Sequence, residues 1–241
     1  MTGQVKLYEI PKVLETARIL DDSILDAYND SLKGFNEKAR QILGMFKKTD
    51  GELAGPSSVM LVHLVNSGIL PSGTRLATRS DLQKAISFAP NFLEGRCTDC
   101  GLNLVSKGEY LVNPFLAKTL ADDLKKVGID LKDAKLIPYN ILTLQADINS
   151  PSGLVFRLSE EGKDRAKDLI LNTSDFKWNC SPSFNGLFRA YLNRYGSWGS
   201  DYGRLAYSDG SGRVVVVSAE GAEYSPIHRQ ITGVEGTSQK F

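Results

Sequence analysis

The sequence predicts an α+β fold, with a helical N-terminal segment leading into a C-terminal half built from short strands. Three observations carry this. Apolar residues recur three or four apart over the first fifty positions, the mark of a helix with one buried stripe. After Trp178 the pattern changes to short apolar runs separated by Gly, Ser and Asp. Between these regions, "VFRLSEEGKDRAKDLI" at 155–170 reads as a strand running directly into a helix.

Taken in order, the stripe Leu14, Ala17, Ile24, Tyr28, Leu32, Phe35, Ala39, Ile42 and Phe46 predicts helix over 13–46, with Gly34 and Gly44 as weak points. That stripe suits either a coiled-coil stem or a helix packed back on the rest of the chain. Asp50-Gly51 and Gly55-Pro56 mark turns, 58–70 is a buried segment, and 80–87 opens with Ser80 and Gln83 at capping-box spacing. A strand is expected at 108–112. Next comes a helix capped by Asn113, with Pro114 in its first turn and a stop at Gly128. Strands follow at 139–148 and 153–159, then "GLFRAYL", "RLAYS" and "RVVVVS". The breaks divide the chain into a helical segment 1–50, a connecting helical and loop region 51–104, and a domain 105–241.

The totals exclude several function classes. A length of 241 residues, 41% of them apolar and 24% charged, is ordinary for one large or two small globular domains. A net charge of +1 with no basic run gives no nucleic-acid footprint. No stretch approaches the roughly twenty apolar residues of a membrane helix, so no membrane insertion is expected. The opening "MTGQVKLYEIPK" lacks the basic-then-apolar pattern of a secretory signal. Three cysteines, an odd number, argue against a disulfide framework.

The chemistry-bearing motifs are few. "CTDC" at 97–100 is a Cys-x-x-Cys pair, and as a turn it would offer two thiolates, Cys97 and Cys100, to a zinc ion. A closed site needs four ligands, and the only other candidates are the distant Cys180, His63 and His228. Two reduced cysteines in a turn are the favoured reading, and no cofactor is expected. His63, inside "VMLVHLV", reads as a core histidine. Cys180 has no neighbouring base or basic side chain to activate it. No GxSxG, HExxH, P-loop or dinucleotide-binding turn is present, so catalysis has little support.

The stretch from Asn193 to Gly212 stands apart, because fifteen of its twenty residues are Asn, Ser, Asp, Tyr or Gly. Tyr and Trp supply large rigid contact area, while Ser, Gly and Asn supply adaptable hydrogen bonds, the composition that binding paratopes favour. Tyr191, Tyr195, Tyr202, Tyr207 and Trp198 gather here, whereas flexible linkers are poor in aromatics. No Lys, Glu or Gln occurs from Trp178 to Ala219, consistent with a surface that avoids freezing long charged side chains.

Two segments resemble one family. "VFRLSEEGKDRAKDLI" is similar to the strand-then-helix segment of the formylglycine-generating-enzyme class of C-type lectin fold, with Arg157, Leu158 and Ser159 at the motif positions. "NGLFRAYLNRYGSW…RVVVVS" is similar to the closing strands of that fold, so the resemblance spans roughly 105–220. Within it, the polar run resembles the variable region of a protein diversified by a diversity-generating retroelement, most like those of archaeal viruses and small archaeal cells. In that family template adenines of Asn codons are randomised. AAC and AAT then yield Asn, Ser, Asp, Tyr, Gly, Ala and Arg but never Lys, Glu, Gln, Met or Trp.

The resemblance implies a C-type lectin-like ligand-binding domain over 105–241, with a variable region at about 191–213, on a virion or cell surface. The ligand would be a protein or surface polymer. Its contacts would come from Asn193, Tyr195, Ser197, Trp198, Ser200, Asp201, Tyr202, Arg204, Tyr207, Asp209 and Ser211, with Trp198 at a fixed position between variable ones. The Glu-Pro-Asn, Gln-Pro-Asp and Trp-Asn-Asp motifs of calcium-dependent sugar binders are absent, so no calcium requirement is expected. The enzyme branch uses a cysteine pair, and the C-terminal half holds only Cys180. An enzyme acting through Cys180 and a zinc-stabilised assembly protein built on Cys97 and Cys100 are the alternatives.

Overall fold

A computed structural model describes residues 10–11, 17–207, 210–219 and 224–225. Two short strands come first, β1 (Ile10–Pro11) and β2 (Arg18–Ile19). The apolar stripe that follows does fold as helix, but in pieces. Asp21 accepts a hydrogen bond from the Ser23 amide and opens a 3-10 turn, Asp22–Ile24, which leads into α1 (Leu25–Ser31) and a second such turn, Leu32–Gly34. Asn36 then starts α2 (Glu37–Leu43) by accepting from the Ala39 amide, and Gly44, at φ +63°, ends it. The continuous helix expected over 13–46 is not formed: residues 18–19 pair as a strand with Val215 and Val216, residues 44–46 are irregular, the helix between is broken by side-chain caps, and residues 13–16 lie outside the described set. The buried face was nonetheless foreseen, since Ile24, Tyr28, Leu32, Ala39 and Phe46 are all buried.

β3 (Lys47–Thr49) and β4 (Glu52–Ala54) pair across the Asp50-Gly51 turn. α3 (Ser58–Asn66) begins with Ser57 accepting from the Met60 amide. After β5 (Thr74–Leu76), α4 (Arg79–Phe88) carries a capping box, but on Thr78 and Asp81, not on Ser80 and Gln83. Thr78 is extended at φ −82° and ψ 172°, as a cap must be, while Ser80 is already helical.

The Cys-x-x-Cys segment is no turn. It enters β6 (Thr98–Val105), and residues 108–112 form no strand. α5 (Pro114–Lys126) starts where expected, yet the Asn113 side chain does not cap it. That amide donates instead to the carbonyls of Leu187, at 2.8 Å, and Gly203, at 2.6 Å. β7 (Lys135–Ile137), β8 (Leu142–Ala146) and β9 (Leu154–Leu158) follow. Ser159 then caps α6 (Glu160–Leu169) by accepting from the Gly162 amide. The chain closes with β10 (Leu171–Asn172), β11 (Gly186–Leu192), β12 (Trp198–Gly199), β13 (Val215–Ser218) and β14 (Tyr224–Ser225). Residues 204–207 of the expected "RLAYS" strand are irregular, and Ser208 lies outside the described residues.

The result is an α+β mix around a curled half-barrel sheet. Five strands run in the order β10-β7-β6-β11-β12, and β13 lies between β2 and β5 in a second sheet. β13 explains its own sequence. Val214 and Val216 join one buried cluster with Tyr28, Leu61 and Leu102, while Val215 and Val217 join another with Leu82, Leu192 and Trp198. A strand buried on both faces reads as an unbroken apolar run. The first cluster also unites Leu20 and Leu43 with Phe156 and Leu187, so the N-terminal helices are packed back on the C-terminal half instead of forming a stem.

Candidate functional site

The side chains of one cleft are positioned by an irregularity in the central sheet. Ala190 pairs with Gly101 and Tyr191 pairs with Asp99, which leaves Cys100 as an extra residue in β6. Such a bulge re-aims the side chains around it. Cys100 turns into the core, where its thiol donates to the Ala190 carbonyl. Asp99 turns to a cleft of about 660 Å³ bounded by the start of β6, the β11–β12 hairpin and residues 201–212. Gly101 is needed at the bulge, since a Cβ there would lie 2.5 Å from the Ile137 carbonyl oxygen.

The floor of the cleft is a buried ion pair. Arg189 Nε and Nη2 both donate to the Asp99 carboxylate at 2.9 Å, and Nη1 donates to the Tyr207 carbonyl at 2.8 Å. The two-pronged guanidinium is the group suited to such a pair. One side chain thus joins β6, β11 and the polar stretch. A second arginine does the same further on: Arg213 donates to the Glu52 carboxylate at 2.6 Å and to the carbonyls of Gly210 and Gly212.

Above this floor stand the tyrosines. Tyr191, Tyr195, Tyr202 and Tyr207 all line the cleft, joined by Arg194 and Asp201. Tyr195, Tyr202 and Tyr207 are 76%, 52% and 47% exposed, values that no core role requires. Tyr191 is set differently. Its hydroxyl donates to Asp201 at 2.5 Å and its ring meets Tyr202 edge-on at 5.5 Å. Burial and the Asp201 carboxylate push the Tyr191 phenol well above its ordinary value, so it acts as a neutral donor. Gly199 makes room for it, because a Cβ there would lie 2.5 Å from the Tyr191 ring.

The expected contact residues divide into two groups. Tyr195, Asp201, Tyr202 and Arg204 are exposed along with Tyr207, and Ser197 is half-buried. Trp198 and Ser200 face inward, at 6% and 0% exposure, and belong to the frame. The Trp198 indole donates to Gln83, and its ring lies 4.6 Å from the Arg79 guanidinium, which also stacks on Phe176 at 3.9 Å. Ser200 accepts from the Asn103 amide, and its own amide donates to the Cys180 carbonyl. Asn193 holds its own hairpin, its side-chain oxygen accepting from the Tyr195 and Ser197 amides at 2.9 Å. Ser211 contacts the Cys97 thiol at 3.2 Å. Asp209 and His228 lie outside the described residues.

The thiols are divided in the same way. Cys97 and Cys180 both line the cleft, whereas Cys100 is buried, with its thiol pushed above its ordinary value by burial and the nearby Asp99. Cys97 and Cys100 point to different partners, so they do not form the two-thiolate turn of a zinc site. Among the described residues no group of three or more His, Cys, Asp or Glu could hold a metal ion. His63 sits in the core, 2.8 Å from Ser31 Oγ and edge-on to Tyr28 and Phe35. Among the described residues no helix is long and apolar enough to cross a membrane.

Comparison with protein-family models, curated proteins and solved structures finds no match for this chain. The site therefore stands on its own geometry. Sequence reading missed Asp99, Arg189, Arg213 and Glu52. The available signal was an arginine inside an otherwise apolar strand, "GLFRAYL", which a buried strand tolerates only with a partner.

Proposed function

We propose that the chain is a ligand-binding display protein: a C-type lectin-like scaffold whose surface between 193 and 211 is diversified by a retroelement to bind varied protein or surface-polymer ligands, without calcium. One observation carries this reading. Three exposed tyrosines and an exposed arginine surround a cleft whose supporting backbone is clamped by the buried Arg189 and Arg213. Exposed aromatics on a rigid frame give large contact area at small entropic cost, and interface hot spots favour Tyr, Trp and Arg. Buried frame residues between the displayed ones allow the rim to change without touching the core.

The test is deep sequencing of this gene across its source population. Substitutions confined to AAC- or AAT-derived codons at exposed positions such as Tyr195, Asp201, Tyr202 and Tyr207 are expected, with Trp198, Gly199 and Gly203 unchanged. Gly203 belongs in the fixed group because a Cβ there would run into Val112. Variation spread evenly along the chain would refute diversification.

A second reading rests on the sharing of the cleft by Cys97 and Cys180, as an enzyme using Cys180 as its nucleophile. The two are not sheet neighbours. Cys180 bridges to Gly199 on β12, and β11 separates β12 from β6, so three inter-strand steps of about 4.8 Å lie between the segments. A Cys180→Ser variant that loses no measurable activity on thiol-containing peptides would remove this reading.

A further inference from the structure

Against the display segment lies a second cavity, which borders Arg204 and Tyr207 of the proposed binding surface and extends away from it into the core. It measures about 480 Å³ and is walled by Ile42 of α2, Leu116 of α5, Leu144 of β8, Phe156 of β9 and Leu205. Its size falls within the range of small-molecule sites, which are mostly apolar with a few placed polar groups. The polar groups at its edge are nearly all committed. Asn113 donates to Leu187 and Gly203, and Ser152 donates to Leu154. Among the charged side chains at the edge, Arg204 stands alone. It borders the cavity with its side chain exposed, and its guanidinium makes no ion pair or hydrogen bond among the described residues.

We propose that this cavity binds a small amphipathic carboxylate, an apolar chain or ring held by the Leu and Phe walls with its single anionic group on Arg204. Charge complementarity decides the class. A neutral apolar guest would leave the guanidinium unused, and a dianion would bring a second charge to a wall with no further cation. Gly203–Tyr207 forms one side of the cavity, and Tyr207 also lines the tyrosine cleft, so the guest sits against the segment that carries the displayed residues. This inference does not depend on the display reading, and either can fail alone.

The experiment uses the full chain, with 1-anilinonaphthalene-8-sulfonate as fluorescent probe and decanoate and decanol as competitors. The expected result is saturable one-site probe binding displaced by decanoate. An Arg204→Met variant should weaken decanoate about tenfold or more, the value of a charge-assisted contact, and leave decanol unchanged. Leu144→Trp, which fills the cavity, should abolish displacement by both. Absence of saturable probe binding, or equal decanoate affinity in wild type and Arg204→Met, would overturn the proposal. If Leu144→Trp fails to fold, the exposed Arg204 variant decides the question by itself.

Discussion

Replacing Asp99 by Ala would strip the Arg189 guanidinium of its carboxylate while leaving it buried at 7% exposure. Breaking a buried pair from one side costs about 3–5 kcal/mol, because the guanidinium stays buried with its charge no longer balanced by the Asp99 carboxylate. For a chain of this size each kcal/mol lowers the melting temperature by roughly 2–4 °C, so Asp99→Ala should melt roughly 6–20 °C below wild type. The double variant Asp99→Ala/Arg189→Met removes both charges and should recover most of that loss. A residue of about 0.5–1.5 kcal/mol should persist, because the Tyr207 carbonyl also loses its donor. Urea unfolding of wild type, both single variants and the double variant completes the cycle. An Asp99→Ala cost under about 1 kcal/mol, the level of an exposed pair, would refute the reasoning. A double variant no more stable than the single would refute it equally.

Three other predictions follow from the same geometry. Gly199→Ala should destabilise the hairpin by about 1–3 kcal/mol, the usual cost of overpacking, and thermal melting checks this. Burial holds the His63 imidazole below its ordinary value of 6.5, so the folded state resists protonation. Stability is then whole above pH 6.5 and falls as pH drops below it, because the unfolded chain takes up the proton first. Urea unfolding at a series of pH values should show this slope in wild type, and His63→Gln should flatten it. In thiol labelling of the native protein, the exposed Cys180 should react fastest, and the buried Cys100 should react only when the chain unfolds. Equal rates for all three cysteines would contradict the burial assigned to Cys100.

What the sequence could disclose was local. Pro114 in the first turn of α5, the two glutamates in the first turn of α6, and the valine run of β13 each carry their signal within a few residues, and each lies where its pattern placed it. The broken N-terminal helix shows the limit of periodicity. The apolar spacing identified the buried face, but Asn36 as a cap and Gly44 at positive φ decided where the backbone stopped. The Cys-x-x-Cys motif misled in another way. Its spacing suggested a turn, yet pairing with a strand ninety positions away drew it into β6 as a bulge. Asp99 and Arg189 are equally distant in sequence, so nothing near either one reveals the other. At the candidate site, the tyrosine-rich composition marked the region but could not separate Tyr195, which faces water, from Trp198, which faces Arg79.

Both stems of the polar stretch are secured by segments from the first half of the chain: β11 by β6, β13 by β2 and β5, and Arg213 by Glu52. The region is consequently not a portable cassette. A fragment beginning at residue 105 would lose Glu52, Asp99 and both neighbours of β13, and grafting 191–213 onto another protein would carry the tyrosines without their clamps. The 241-residue chain, in contrast, keeps all of these clamps and is the unit on which a synthetic library would be built. Codons for the outward-facing rim residues can be rewritten at will, while the arginines beneath keep every member of the library in the same frame.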